Sequence, residues 1–199
     1  MTIRNQQKSL TEVYLQPGDI FFTQSGTVLG RLIRRFTQQR GEPRTLAQHC
    51  GLVVNGGYIT RGMFPQAWIV EAVSEVKWRA IRTGYGDTGI KLTVYRPLNL
   101  SYDARSLIRE RARQYIGKKY GHVKIIAHFL DWCLGGEVVF RTLCKMDNYP
   151  ICSYLVAKCF QAVGADFGIR ARAASPDDIL DFCQVNTDKY RLILPWVEI

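Results

Sequence analysis

At 199 residues, 47% apolar and 22% charged, the chain can build one domain with a proper core, and its composition excludes a disordered or repeat-built protein. It opens MTIRNQQKSLTEVYL, without the apolar core of a secretory leader, and no run reaches the ~18 apolar residues of a membrane span; the reading is a single cytoplasmic domain over 1–199. The formal net charge of +10 predicts attraction to something anionic, nucleic acid, acidic lipid or cell-wall polymer, but no nucleic-acid motif accompanies it, and solvated helix faces account for most of these residues.

In chain order, 17-PGDIFFTQSG-26 reads as a turn followed by a short strand. Leu29, Leu32, Ile33 and Phe36 then fall at helical spacing, leaving Arg31, Arg34 and Arg35 mostly toward solvent. After the polar stretch 37–45 come three strand candidates, 48-QHCGLVV-54, 68-WIVEAV-73 and 76-VKWRAI-81, with a turn signal at Asn55-Gly56-Gly57. A fourth, 90-IKLTVY-95, ends at Arg96-Pro97.

The second half is helical. In 101-SYDARSLIRERARQYIG-117, Ile108, Ala112 and Tyr115 share a face and Gly117 is the expected C-cap. An apolar segment at 123–140 is broken by Gly135-Gly136. A helix begins at Cys152, and 175-SPDDILDFC-183 carries Ser175 at the N-cap and Pro176 at the first helical position. A last strand spans 190–194. Strands first and helices second predict an α+β fold, an antiparallel sheet from the N-terminal half packed against C-terminal helices.

Of the six cysteines, at 50, 133, 144, 152, 159 and 183, none forms a C-x-x-C, and the expectation is free thiols with no metal and no cofactor. Leu155, Val156, Cys159, Phe160 and Val163 supply the buried side of their helix, so Cys159 is a packing residue. Cys152 is left at the helix start, beside a cleft rather than in the core, where the dipole and unpaired N–H groups favour a thiolate. Its base is sought among three histidines, and His49 ranks above His122 and His128. Alternation puts His49, Gly51 and Val53 on one face and Cys50 on the other, and a glycine beside His49 points to a close approach there.

Glu71 interrupts the apolar run 69-IVEAV-73, and burying a carboxylate without a partner costs several kcal/mol, so a partner is required. A hairpin centred near residue 60 would set Glu71 directly opposite His49, with Cβ atoms about 5 Å apart. Glu71 would then orient the imidazole as the third member of a nucleophile, base and orienter set.

Taken in order, PGDIFF, QHCGLVV, IVEAV, GKKYG at 117–121, CSYLV and SPDDI resemble the circularly permuted branch of the NlpC-type papain-like cysteine hydrolases, the YiiX-like group, over nearly the whole chain. The resemblance implies Cys152 as nucleophile, His49 as base, Glu71 as the third polar residue and Asp19 as a structural aspartate. Where the family commonly has Ser-His-Val-Gly, this chain has Gln48-His49-Cys50-Gly51, and Cys-Ser-Glu is replaced by Cys152-Ser153-Tyr154.

The function implied is a cysteine hydrolase acting on an amide or ester bond through an acyl-enzyme, a peptidase or amidase on peptide or cell-wall-type substrates. Two alternatives stand beside it. One is a lipid acyltransferase or acyl-lipid hydrolase of the lecithin:retinol acyltransferase type, with 123–140 lining an acyl pocket. The other is a non-catalytic basic binding module.

Overall fold

The computed structural model describes residues 13–26, 46–59, 64–120 and 150–199. The helix expected at Leu29 to Phe36, the segment 123–140, and His122, His128, Cys133 and Cys144 lie outside the described residues. Within them the order is β1 (Tyr14–Leu15), β2 (Ile20–Gln24), β3 (His49–Asn55), β4 (Gly57–Tyr58), β5 (Trp68–Ala72), β6 (Val76–Ala80), α1 (Ile81–Tyr85), β7 (Lys91–Pro97), α2 (Tyr102–Arg113), α3 (Cys152–Gln161), α4 (Pro176–Val185) and β8 (Tyr190–Glu198).

The fold is α+β. Six strands form one sheet in the order β6-β5-β3-β2-β7-β8, each pair of neighbours antiparallel, and β1 pairs with β4 alone. Alternation along the central strands makes two apolar layers. Ile20, Phe22, Cys50, Leu52, Val70 and Ala72 point to one side, where α2, α3 and α4 bury Ile108, Ala112, Leu155, Phe160, Ile179 and Leu180 against them. Phe21, Val53, Ile69, Leu92 and Val94 point to the other, covered by Ile81 and Tyr85 of α1 and by Leu15 and Ile59. No described helix is long and apolar enough to cross a membrane.

The turn before β2 explains the Pro-Gly-Asp triplet. Asp19 donates its N–H to the Gln16 carbonyl at 3.0 Å, with Pro17 at the first central position and Gly18 at the second, φ +88°. The buried Asp19 carboxylate accepts the Gln16 N–H at 2.8 Å and the Arg96 Nε and Nη2 at 2.9 and 2.7 Å, a structural anchor between β2 and β7. Arg105 donates to the carbonyls of Pro17 and Pro97 at 2.7 and 3.0 Å, so this arginine ties α2 to the sheet rather than adding to the solvated charge.

Two helix ends follow the local signals. Ser175 Oγ accepts the Asp178 N–H at 3.1 Å while Asp178 Oδ2 accepts the Ser175 N–H at 2.7 Å, a reciprocal capping box with Pro176 just inside it. Ser101 caps α2 through the Ala104 N–H at 3.1 Å. The other end of α2 differs from expectation: it stops at Arg113, and Gly117, φ +80°, turns the chain so that its N–H reaches the Val76 carbonyl at 2.9 Å. α1 was not legible either, because Ile-Arg-Thr-Gly-Tyr combines β-branched residues with glycine, poor helix formers that form a turn here through burial of Ile81 and Tyr85.

Gly51 faces Phe21 across the β2–β3 ladder. A Cβ at Gly51 would stand 2.5 Å from the Phe21 ring and 2.9 Å from the Val70 carbonyl oxygen, so the ring lies directly on the backbone of β3. Gly51→Ala should therefore cost about 1–3 kcal/mol through overpacking, read as a lower urea midpoint. Gly26→Ala, where a Cβ meets nothing within 4 Å, is the matched control, and equal midpoints for the two variants would refute this account.

Candidate active site

β3 and β5 deliver His49 and Glu71 to the same face, but not as directly opposed residues. The ladder pairs Leu52 with Val70 and Val53 with Ile69, and an irregularity between Val53 and Asn55 shifts the strand end. Continuing that ladder sets Gly51 opposite Glu71 and leaves His49 one diagonal step away. Relative to a direct His49–Glu71 pairing the register differs by two residues, an even number, so both side chains stay on one face. The imidazole reaches across the diagonal, and His49 Nε2 lies 2.7 Å from Glu71 Oε2.

Glu71 is fully buried, and its oxygens are provided for on both sides. Oε2 also accepts the Tyr85 hydroxyl, and Oε1 takes the Arg79 guanidinium, with Nε at 2.6 Å and Nη2 at 2.5 Å. The register of β5 with β6 pairs Ile69 with Arg79 and Glu71 with Lys77, which puts Arg79 diagonal to Glu71 on its face. α1 then folds Tyr85 over the same spot, and Arg79 lies 5.4 Å from the Tyr85 ring centroid. Gly84 makes room for this, since a Cβ there would stand 2.8 Å from the guanidinium carbon.

The glycine beside His49 admits Phe21 rather than opening a cleft. The Phe21 ring sits 6.3 Å from the His49 ring and edge-on to Tyr85 at 5.6 Å, an apolar wall over the His49–Glu71 hydrogen bond.

On the other layer, Cys152 opens α3. Ile151 at the N-cap has no polar side chain, so the first-turn N–H groups and the dipole converge near the Cys152 sulfur. The helix is buried almost all round, Ser153 and Tyr154 included, and Cys152 itself is 3% exposed, inside the core cluster rather than on an open cleft. Ser153 Oγ donates to the Ala174 carbonyl at 2.6 Å, fixing the start of the helix.

Cys50 faces away from His49 along its strand, as alternation requires, yet that direction leads to Cys152. The Cys152 sulfur accepts hydrogen bonds from the Cys50 thiol, from the His49 ring and from the Cys50 backbone N–H. With Nε2 engaged by Glu71, Nδ1 is the ring nitrogen left for the sulfur. The Tyr120 hydroxyl donates to Cys152 as well.

The electrostatics follow. The Cys50 hydrogen bond outweighs burial and, together with the His49 charge, holds the Cys152 thiol well below its ordinary range. Burial alone would push His49 down, but the Cys152 and Glu71 charges hold it up at about 10. Burial would raise Glu71, and its bonds to His49, Tyr85 and Arg79 reverse that and hold it low. At neutral pH this is a thiolate–imidazolium pair backed by a carboxylate, a set that can attack a carbonyl carbon and protonate a leaving group.

Asp177 is a further contributor that periodicity does not reveal. Its Oδ1 accepts the N–H groups of Leu46 and Ala47 at 2.9 and 3.1 Å, holding the backbone just before His49. Cys50, Arg79, Tyr85 and Tyr120 also escaped sequence reasoning. Only Arg79 left a signal there, a charge alternating with apolar residues in VKWRA.

No protein-family model and no curated protein matches the chain. Among solved structures it is similar to the metalloprotein yiiX from Escherichia coli O157:H7, at 19% identity and a TM-score of 0.50, over 90% of this chain and 88% of that one. At that identity the likeness is one of fold.

Iodoacetamide at mildly acidic pH should modify Cys152 ahead of Cys50, Cys159 and Cys183, whose thiols burial pushes up. His49→Ala should move the acid limb of the Cys152 rate toward the ordinary thiol range. Peptide mapping that found any of the other three alkylated first would contradict the proposed thiolate.

Proposed function

We propose that this chain is a papain-like cysteine hydrolase of the circularly permuted NlpC type, cleaving an amide or ester bond through an acyl-enzyme on Cys152. The observation that carries the reading is the continuous run of contacts from the Cys152 sulfur through the His49 ring to the buried Glu71 carboxylate. The preferred substrate is a peptide or cell-wall-type amide. The structural neighbour is described as a metalloprotein; among the described residues of this chain no group of three or more His, Cys, Asp or Glu side chains is placed to hold a metal ion.

In the mechanism, the Cys152 thiolate attacks the carbonyl carbon and the oxyanion forms beside the α3 N-terminus, where the Cys152 backbone N–H is the donor. His49, protonated, gives its Nδ1 proton to the leaving amine or alkoxide. As neutral base it then takes a proton from water, which attacks the thioester, releases the acid and restores the thiolate. Glu71 fixes the ring orientation and stabilises its charge, and Arg79 and Tyr85 hold Glu71 in place.

A panel of peptidoglycan peptides, acyl-lipid amides and esters, read by mass spectrometry of products and of the Cys152 peptide, tests the reading. An acyl adduct on Cys152 with peptide-amide cleavage is expected, and both should vanish in Cys152→Ala and His49→Ala. Adducts only from acyl lipids would move the enzyme to the lipid class, and no turnover by folded protein would leave the basic binding module. The +10 charge is assigned to holding an anionic surface, acidic lipid or cell-wall polymer. Added salt should then slow turnover on such a surface and spare a small neutral ester.

Glu71→Gln isolates the third group. Removing the charge lowers the pKa of His49, so the alkaline limb of the pH–rate profile, set by the imidazolium at about 10, should move down, with a loss of rate of about tenfold to a thousandfold. An unmoved limb with full activity would reduce the machinery to the Cys152–His49 pair.

A further inference from the structure

Cys50 is a buried nucleophilic group that supports the Cys152 thiolate but makes and breaks no bond in the hydrolytic steps. A valine at this position would fill a similar space without a thiol. Here β3 directs Cys50 into the layer where α3 begins, and its S–H donates to the Cys152 sulfur. Both cysteines are free, Cys50 wholly buried and Cys152 3% exposed. A small oxidant from solvent therefore meets Cys152 first, with a second thiol already in contact behind it.

We propose that Cys50 is a resolving cysteine, and that a hydroperoxide converts Cys50 and Cys152 into a reversible disulfide that shuts the site. The inference rests on the reading of Cys152 as the reactive thiolate. In the first step the thiolate attacks the peroxide, the O–O bond breaks, and Cys152 sulfenic acid forms while the alcohol leaves with a proton. In the second, the Cys50 sulfur attacks the Cys152 sulfur, the S–O bond breaks and water departs. In sum, two thiols and one hydroperoxide give one disulfide, one alcohol and one water, a two-electron oxidation of the protein. The sulfurs must close from hydrogen-bonding contact to about 2.05 Å, a movement that the first turn of α3 and the strand can share. A dithiol reverses it by exchange and restores both thiols. Burial keeps Cys50 protonated in the resting protein, so it does not compete with Cys152 for the oxidant. Cys159 lies about two turns further along α3 and Cys183 lies in α4, and burial pushes both thiols up.

The test treats the full chain with hydrogen peroxide, blocks free thiols and maps the peptides by mass spectrometry. The expected product is a Cys50–Cys152 linked peptide, two hydrogens lighter than the separate pair, which dithiothreitol converts back to two alkylatable thiols. Cys50→Ser, which keeps a hydrogen-bond donor to the Cys152 sulfur but cannot form a disulfide, should leave Cys152 to proceed to sulfinic and sulfonic acids, at least tenfold more abundantly than in the parent chain and beyond rescue by dithiothreitol. A bridge from Cys152 to any other cysteine, or equal over-oxidation of parent and variant, would overturn the inference. Alkylation before oxidation separates the two readings. A Cys152 that resists iodoacetamide at mildly acidic pH sinks the nucleophile assignment and this inference with it, whereas a reactive Cys152 that never bridges to Cys50 sinks only the resolving role.

Discussion

A carboxylate with no exposed surface, Glu71, is the constraint on which this site depends. An unpaired charge there would cost several kcal/mol, and removing one partner of a buried pair is strongly destabilising. The chain answers with an alternating row of charges: Arg79 and His49 on either side of Glu71, then the Cys152 thiolate beyond the imidazolium. Two positive and two negative groups cancel within one cluster. That neutrality lets a low-dielectric interior hold an imidazolium that burial alone would discharge.

Elements outside this run of side chains are arranged to serve it. β6 supplies Arg79, α1 supplies Tyr85, and Phe21 lies against the bare backbone of Gly51 to wall off the hydrogen bond. The sheet itself separates the partners by layer. Glu71 and its supports pack with Phe21 and Ile69 on one side, Cys152 and Cys50 with the helices on the other. His49, at the very start of β3, is placed where a side chain can serve both.

Much of this was legible in the sequence, for identifiable reasons. A glutamate inside Ile-Val-Glu-Ala-Val violates the apolar pattern, and burial energetics alone require partners for it. Cys152 stood out as the residue preceding a buried helical stripe, and Ser175-Pro176 marked the start of α4. The strands were readable because alternation and turn residues agree. What failed was register and contact across the fold. The ladder through Leu52–Val70 and Val53–Ile69 sets Gly51 rather than His49 opposite Glu71, a difference of two residues, and period-two alternation survived because that difference is even. Cys50 was placed on the correct side of its strand, but the strand alone does not reveal that α3 begins there. Tyr120, Tyr85 and Asp177 act over long separations that local periodicity does not encode. The burial of Cys152 was likewise invisible, since a helix start reads as an end in sequence and is a core position in the fold.

The bond from Asp177 to Leu46 and Ala47 spans 131 and 130 residues. Closing so large a loop has an entropic cost that only the docked α4 offsets, so this tie belongs among the late contacts of folding. During synthesis the ribosome releases His49, Glu71 and Cys152 before Asp177 has emerged. The backbone ahead of the histidine thus acquires its clamp only after α4 has emerged and docked, later than the side chains of the charge row themselves.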